Sequence, residues 1–269
     1  KCGDREYWDS WVKDLVGAFH QMSQRITDAI AKPSSKRELD SFTEELQAAI
    51  NPSITHEQAI EMLAQHITSK EVFDAIFSGF ADNNPVSVSM QNTRSVLQAD
   101  GADLDPQGLA KFNEHVREKA ASAKTGLAKQ KLLREIYEHF FVQAFPETAK
   151  TLGIVYTPEE IVDFILRSAD RAARELLNLP EGLSSQSVHI LDPFSGTGTF
   201  TARLIESGMI PDEVLYDRYK HNIHANEILL LAYYISAVNI EAAYTQKAGG
   251  FYKEFDGMVL ADTFRLNED

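Results

Sequence analysis

The segment 188–200 constrains the fold of this chain more than any other part of the sequence. A short apolar strand, Val188-His189-Ile190-Leu191, runs into Asp192-Pro193-Phe194-Ser195-Gly196-Thr197-Gly198 and then into a helix. Glycine allows tight turns and close approach of a ligand, and the free N–H groups at a helix start attract anionic groups. The pattern predicts an α/β domain with a ligand site where this strand ends, although a purely structural glycine turn is the alternative.

The position of Asp192 indicates which ligand such a loop would accept. A dinucleotide site has its third glycine three residues after the second, where this chain has Thr201. A pyrophosphate would also be repelled by the carboxylate of Asp192. No glycine-lysine-serine/threonine sequence is present, so a phosphate-cradling loop of the nucleotide-hydrolase type is excluded. A cationic group, such as the amino group of a bound amino acid, would be favoured.

Two further strand-like runs come later in the chain, and each ends in a carboxylate, Glu227 or Asp262. Alternation of strands and helices predicts a parallel sheet, and open α/β sheets bind ligands at the carboxyl ends of their strands. Glu227 could accept hydrogen bonds from ribose hydroxyls and Asp262 from an exocyclic amine. The alternatives are a helix-start carboxylate for Glu227 and a strand-end turn residue for Asp262.

This sheet makes a geometric prediction. We expect Asp192, Glu227 and Asp262 to converge on one crevice beside the loop 193–198, and neither Glu227 nor Asp262 to carry core packing. A short extra helix or turn is expected between Gly208 and Lys220. The predicted strands are about 187–192, 222–227 and 258–262.

Upstream of the sheet, Thr157-Pro158-Glu159-Glu160 has the spacing of a helix start. Thr157 suits the N-cap, Pro158 the first helical position and Glu160 the closing position of a capping box. The apolar residues after this start predict a buried helix face: Ile161, Val162, Phe164, Ile165, Ala169, Ala172 and Leu176.

The first 150 residues show apolar residues at helical spacing without strand-like alternation. Capping-box pairs at Thr55/Gln58 and Thr68/Glu71 predict two helix starts. Asp105-Pro106 predicts another, and the run 132–141 predicts the last helix of this part. This half is therefore expected to be all-α.

Composition limits the function classes. The chain has 26 basic and 40 acidic residues, and a net charge of −14 does not favour binding to nucleic acid by this chain alone. The locally basic segment 111–134 is either a solvated helix face or a phosphate-contacting one. A single cysteine excludes internal disulfides and cysteine zinc sites. The longest apolar stretch, 228–240, is broken by Ser236 and Asn239 and is too short to span a membrane.

The order of these features resembles an amino-methyltransferase of the N6-adenine DNA type in its gamma arrangement, over about residues 150–269. The resemblance implies a partial Rossmann-like S-adenosylmethionine-dependent methyltransferase sheet preceded by an all-α helical domain. Residues 1–150 would be a coupler-like helical domain, and residues 151–269 the cofactor-binding half of the methyltransferase domain.

The resemblance also assigns cofactor contacts, with S-adenosylmethionine as the cofactor and no metal. Thr157 and Pro158 would belong to an upstream cofactor element, and Glu227 would hold the ribose hydroxyls with Ile228 against the adenine ring. Asp262 would bind the adenine amine, and Thr263 or Phe264 would flank the ring. The methionine part would be lined by Asp192, Phe194, Gly196 and Gly198.

One departure from the family pattern is serious. The catalytic signature, Asn/Asp-Pro-Pro-Tyr/Phe/Trp, occurs nowhere in this sequence, so no catalytic residue is assigned. The chain runs from Lys1 to Asp269, where a further strand would be expected, so we expect it to be a piece of something larger.

The implied function is that of a fragment of a cytoplasmic, non-membrane DNA adenine-N6 methyltransferase within a bacterial restriction-modification enzyme. The glycine loop is similar to that of the single-chain type I-like (type ISP) enzymes. DNA would be bound through parts absent here, and helicase and nuclease domains could belong to the same polypeptide. The alternatives are an RNA or protein-glutamine methyltransferase and a non-catalytic scaffold. A nicotinamide dehydrogenase is disfavoured by Asp192 and the missing third glycine.

Overall fold

The computed structural model describes residues 3–76, 85–105, 110–123 and 157–264, together with Ala128 and Leu132. The chain divides into two compact units, Lys1–Leu152 and Gly153–Asp269. We call them the helical unit and the α/β unit and describe each by itself.

The described part of the helical unit is built from α-helices, as the sequence predicts. Helix α3 contacts each of the other four, and its apolar residues are accordingly distributed around it rather than along one stripe. The core includes Phe19, Phe42 and Leu63. The helices are α1 (Gly3–Ala29), α2 (Pro33–Ala49), α3 (His56–Ile76), α4 (Pro85–Ala99) and α5 (Ala110–Ser122).

One predicted helix start in this unit is confirmed and one is wrong. The Gln58 N–H donates to the Thr55 hydroxyl over 3.2 Å, and the Thr55 N–H donates to the Gln58 side chain over 2.9 Å, which is a capping box at the start of α3. Thr68 instead lies inside α3, where its buried hydroxyl donates to the Ala64 carbonyl over 2.7 Å. The predicted helix start at Pro106 and most of the predicted last helix, 132–141, lie outside the described residues.

The α/β unit contains a three-stranded parallel sheet in the order β1-β2-β3. The short helix α8 falls where the sequence predicts an extra element between the first two strands. The elements are α6 (Glu159–Leu176), a 3₁₀ turn (Gly182–Ser184), β1 (Ile190–Asp192), α7 (Thr199–Glu206), α8 (Asp212–His221), β2 (Ile223–Glu227), α9 (Leu230–Lys247) and β3 (Met258–Leu260).

Helix α9 is buried along most of its length and contacts α7, β2 and β3. Its apolar residues recur on every side because it lies beneath the sheet with α7 beside it. This helix therefore forms the centre of the core of the α/β unit.

The predicted buried face of α6 is largely wrong. Helix α6 contacts α7, and its buried side chains are Val162, Leu166 and Ala173. Ile161, Phe164 and Ile165 are exposed, with 71% of Phe164 accessible. The apolar residues of α6 lie on two sides of the helix, and periodicity alone does not tell which side a neighbour covers.

Among the residues that the structure describes, no helix is long and apolar enough to cross a membrane.

A buried carboxyl group ties α9 to the segment before β3. Glu241 accepts a hydrogen bond from the Phe255 N–H over 3.1 Å and another from the Tyr252 hydroxyl over 3.1 Å. Burial, the largest influence, raises the pKa of Glu241 from 4.5 to about 7. The native α/β unit therefore retains a proton that an unfolded chain has already released.

We expect Glu241 to make the protein less stable as the pH rises from about 5 to about 7, because only the native state still binds the proton in that window. The raised pKa corresponds to a loss of about 3 kcal/mol in the free energy of unfolding over this pH window. Glu241→Gln cannot titrate, so its free energy of unfolding, measured by urea titration, should rise relative to that of the parent between pH 5 and pH 8. If the free energies of unfolding of the two proteins changed with pH in the same way, the pKa of Glu241 would not be raised by folding.

Candidate functional site

The carboxyl ends of the three strands lie at one edge of the sheet. Asp192 ends β1 opposite Ala225, and Glu227 ends β2 opposite Leu260. Because side chains alternate along a strand, this register puts Asp192 and Glu227 on the same face. Asp262 comes two residues after β3, so all three residues follow strands at this one edge of the sheet, as predicted. The convergence of their side chains on one crevice stays a prediction.

The glycine loop is fastened to the middle strand and then becomes α7. The Ser195 N–H donates to the Asn226 carbonyl over 2.9 Å, and the Gly198 N–H donates to the Ser195 carbonyl over 2.8 Å. Both Gly196 and Gly198 have positive φ, at 55° and 77°. Only glycine adopts this region without strain.

The two glycines differ in what surrounds them. A Cβ on Gly198 would lie 2.7 Å from the Ser236 hydroxyl oxygen and 2.9 Å from the Ser236 carbonyl oxygen, whereas a Cβ on Gly196 would meet none of the described residues within 4 Å. Gly198 is thus required by the close approach of α9. Gly196 is the glycine that leaves open space for a ligand.

Two residues that the sequence interpretation did not assign to the site support this loop from α9. The Ser195 and Ser236 hydroxyl groups are 2.6 Å apart, and the Asn239 side-chain amide donates to the Thr197 carbonyl over 2.8 Å. Ser236 and Asn239 are the residues that interrupt the apolar stretch 228–240. Their spacing of three puts them on one side of a helix, and this was the signal available in the sequence.

Glu227 is only 8% exposed, and backbone groups surround its carboxylate. It accepts N–H groups from Gly196 over 2.8 Å and from Ile228 and Leu229 over 2.9 Å each. The sequence analysis expects Glu227 to carry no core packing, whereas the structure buries it and makes it a hydrogen-bond acceptor that fixes both the loop and the start of α9. A carboxylate offers about four acceptor positions, so about one remains for a ribose hydroxyl.

The two carboxylate oxygens of Asp192 differ in their hydrogen bonds to the described residues. The Phe194 N–H donates to Oδ1 over 3.4 Å, whereas Oδ2 is buried and has no hydrogen-bond partner in the described part of the chain. Burial raises the pKa of Asp192 and also that of Glu227, where the nearby Asp192 charge adds a smaller upward influence. Buried polar atoms normally find partners, so this oxygen fits a site for a donor, and a cationic donor best.

Asp262 and Thr263 both make contacts within the chain. The Phe264 N–H donates to Asp262 Oδ1 over 3.0 Å, the turn geometry that the sequence leaves open as an alternative. The Thr263 hydroxyl donates to the Pro193 carbonyl over 2.5 Å. This bond joins the segment after β3 to the loop after β1.

Exposed apolar side chains surround this edge of the sheet. The rings of Phe194 and Phe264 lie 5.6 Å apart and are 62% and 81% exposed. Ile228 at the end of β2 is also exposed. Apolar surface beside a few polar groups is typical of sites for small organic ligands.

The upstream element differs from its prediction. Helix α6 begins at Glu159 with Pro158 as its N-cap residue, and no side chain in the described part of the chain caps it, so the predicted cap by Thr157 is wrong. The Pro158 carbonyl instead accepts the first helical N–H groups, which places Thr157 one residue too early. Arg203 of α7 binds the Asp163 carboxylate of α6 over 2.7 and 3.0 Å, and this ion pair fixes α6 beside the helix that comes after the loop.

Two family models match the chain in succession. Residues 7–128 match the coupler domain of type ISP restriction-modification enzymes, and residues 128–242 match the N-6 DNA methylase family. The chain therefore contains a type ISP coupler domain followed by an N-6 DNA methylase domain. Most of the N-6 DNA methylase match lies in the α/β unit, and the coupler match falls within the helical unit.

Solved structures of type ISP enzymes resemble the whole chain. A nuclease-deletion mutant of the type ISP enzyme LlaGI, in complex with a DNA substrate mimic, has a TM-score of 0.88 and 37% identity over 100% of this chain and 22% of that one. The ATP-dependent type ISP enzyme LlaBIII bound to DNA has a TM-score of 0.89 and 38% identity, and the match covers 100% of this chain and 18% of that one.

A DrdV–DNA complex studied by cryoEM has a TM-score of 0.82 and 33% identity, over 96% of this chain and 25% of that one. This chain therefore spans about a quarter or less of the length of these proteins. A comparison with curated protein sequences finds no match.

The two loop glycines offer a matched pair of variants. We expect Gly196→Ala to lower the free energy of unfolding by about 1–2 kcal/mol through its positive φ alone. Gly198→Ala combines that strain with overpacking against α9, which adds about 1–3 kcal/mol. Urea unfolding of the two variants should therefore separate them, with Gly198→Ala the less stable. Equal losses would contradict the close contact with Ser236.

Proposed function

We propose that this chain is the coupler and cofactor-binding part of a DNA adenine-N6 methyltransferase, within a bacterial type ISP restriction-modification enzyme. The observation that carries the proposal is the buried Oδ2 of Asp192, which lies near Glu227 at the sheet edge and has no hydrogen-bond partner among the described residues. Members of the N-6 DNA methylase family generally use S-adenosylmethionine. We propose residues 1–150 as the coupler domain and residues 151–269 as the methylase part.

The electrostatics of the edge support a cationic cofactor. Asp192 and Glu227 are buried together, and the charge of Asp192 opposes the ionisation of Glu227. S-adenosylmethionine carries an ammonium and a sulfonium group, so its binding would relieve this repulsion. A negatively charged dinucleotide would increase it.

The residues at the edge can be matched to parts of the cofactor. Asp192 would accept the α-amino group, and the remaining acceptor position of Glu227 would take one ribose hydroxyl. Asp262 would accept the adenine amine, with Thr157 and Pro158 in the upstream element. Apolar contacts to the cofactor would come from Phe194, Ile228 and Phe264, and Gly196 would leave the space for its approach.

When bound, the cofactor supplies an activated methyl group. The role of the residues in this chain is to hold that group in a fixed direction and away from water, which favours direct displacement without an acid or base in this part of the protein. The groups that would accept hydrogen bonds from the target amine are absent from this sequence.

DNA would be engaged outside this chain. The net charge of −14 is unfavourable for independent binding to a polyanion. LlaGI and LlaBIII were both studied as complexes with DNA or a DNA mimic and are several times longer than this chain. We propose that DNA recognition, ATP-driven translocation and cleavage belong to further domains of the same cytoplasmic polypeptide.

Asp192→Asn separates binding from folding. The variant keeps the shape of the side chain and loses the charge-assisted bond to the α-amino group, worth about 1.5–3 kcal/mol. We expect calorimetry to show S-adenosylhomocysteine bound about 10- to 100-fold more weakly. The melting temperature should be unchanged or higher, because the buried unpaired carboxylate is removed.

The control for Asp192→Asn is a ligand rather than a second variant. 5′-Methylthioadenosine lacks the amino-acid part, so parent and Asp192→Asn should bind it equally. Equal affinity of both proteins for S-adenosylhomocysteine would remove Asp192 from the site. No binding of S-adenosylhomocysteine to the parent would overturn the proposed cofactor site.

The chain by itself should not methylate DNA, because it lacks the acceptor-amine motif. Incubation with radiolabelled S-adenosylmethionine and unmethylated genomic DNA should give background incorporation, while an intact N-6 DNA methylase in parallel gives a clear signal. Incorporation above background by this chain would show that the groups acting on the target amine lie within it.

A further inference from the structure

We propose that Asn226 and Thr263 are positioning residues that hold the three carboxylates in the arrangement that the cofactor needs. The inference rests on the proposed function, since it concerns the same site. It assigns Thr263 a role different from the ring contact that the family resemblance implies.

Asn226 is buried at the end of β2 and contacts both neighbouring segments. Its side-chain amide donates to the Ala261 carbonyl over 3.0 Å and to the Thr263 hydroxyl. Its main-chain carbonyl accepts the Ser195 N–H of the glycine loop over 2.9 Å. The middle strand is thus bonded through one residue to the loop after β1 and to the segment after β3.

The Thr263 hydroxyl completes this link. It accepts from Asn226 and donates its single proton to the Pro193 carbonyl. A hydroxyl has one donor, so the direction of the chain of hydrogen bonds from Asn226 through Thr263 to Pro193 is fixed. Chains of this kind reinforce one another in a buried setting.

The three residues joined by these hydrogen bonds are sequence neighbours of the three carboxylates. Pro193 comes directly after Asp192, Asn226 precedes Glu227 and Thr263 comes directly after Asp262. Each linked residue is therefore the immediate neighbour of one of the three carboxylates proposed to bind the cofactor. A shift of any one strand end would be transmitted to the spacing of the carboxylates.

The sheet by itself does not set that spacing well. Strands β1 and β3 have three residues each, and each pairs with β2 rather than with the other. The bond from Thr263 to Pro193 connects the outer two directly across the end of β2. A ligand that reaches from Asp192 to Asp262 depends on this separation, because a hydrogen bond weakens steeply when its geometry departs from the preferred distance and angle.

Two matched variants distinguish positioning from ring contact. Thr263→Val keeps the shape and methyl group and removes the hydroxyl, whereas Thr263→Ser keeps the hydroxyl and removes the methyl group. We expect Thr263→Val to bind S-adenosylhomocysteine about tenfold or more weakly, as for the loss of one hydrogen bond to a charged group. Thr263→Ser should bind it nearly as the parent does, and this is the conservative rescue. Both are measured by calorimetry well below the melting temperature of each protein.

A second ligand supplies a readout that a merely structural role would not change. 5′-Methylthioadenosine would contact Glu227 and Asp262 without reaching Asp192, so Thr263→Val should weaken it much less than S-adenosylhomocysteine. A general loss of folding would reduce both affinities by the same factor. Should Thr263→Val fail to fold, Thr263→Ala removes the same hydroxyl without a branched side chain. It should also weaken the binding of S-adenosylhomocysteine much more than that of 5′-methylthioadenosine.

The outcomes separate this inference from the proposed function. If the parent binds S-adenosylhomocysteine and Thr263→Val binds it equally well, the positioning role is overturned and the cofactor site stands. If Thr263→Ser is the weaker binder, Thr263 contacts the ring and the inference is again overturned. If the parent does not bind the ligand, while remaining folded, the proposed cofactor site and this inference both fail.

Discussion

The hydrogen bonds of the Glu227 carboxylate are the interaction on which the site depends. One carboxylate, at the end of the middle strand, binds the N–H of Gly196 in the loop and two N–H groups at the start of α9. It therefore fixes the loop after β1 and the helix after β2 at the same point. These bonds satisfy most of its acceptor capacity, and a ligand approaching this edge meets a carboxylate that is already oriented.

The sequence predicted the features that depend on chain topology. Parallel strands have their carboxyl ends at one edge, so the ordering of strands and helices sufficed to bring the ends of 190–192, 223–227 and 258–260 together. The glycine loop and the short helix α8 were predicted from local signals. The roles of Asp192, Glu227 and Asp262 toward a cofactor stay predictions, because they concern a ligand rather than the chain.

The features that the sequence did not reveal depend on neighbours in space. Nothing local distinguishes Gly198, which is pressed against α9, from Gly196, whose Cβ position has no neighbour among the residues that the structure describes. The apolar residues of α6 fall on two sides, and only its packing against α7 decides which side is buried. The predicted cap at Thr157 is a smaller error. A proline can be either the first helical residue or the N-cap residue before it. In this chain Pro158 is the N-cap residue, so the helix begins one residue later than predicted.

The contact between Gly198 and Ser236 limits how this loop could be altered. Because an added Cβ would meet the main-chain atoms of Ser236 as well as its hydroxyl, no exchange of the side chain at 236 could make room. Only a displacement of α9 would do so, and α9 forms the centre of the core of its unit. A redesign of the loop for a larger or differently charged ligand can therefore place a side chain at position 196 but must keep glycine at position 198.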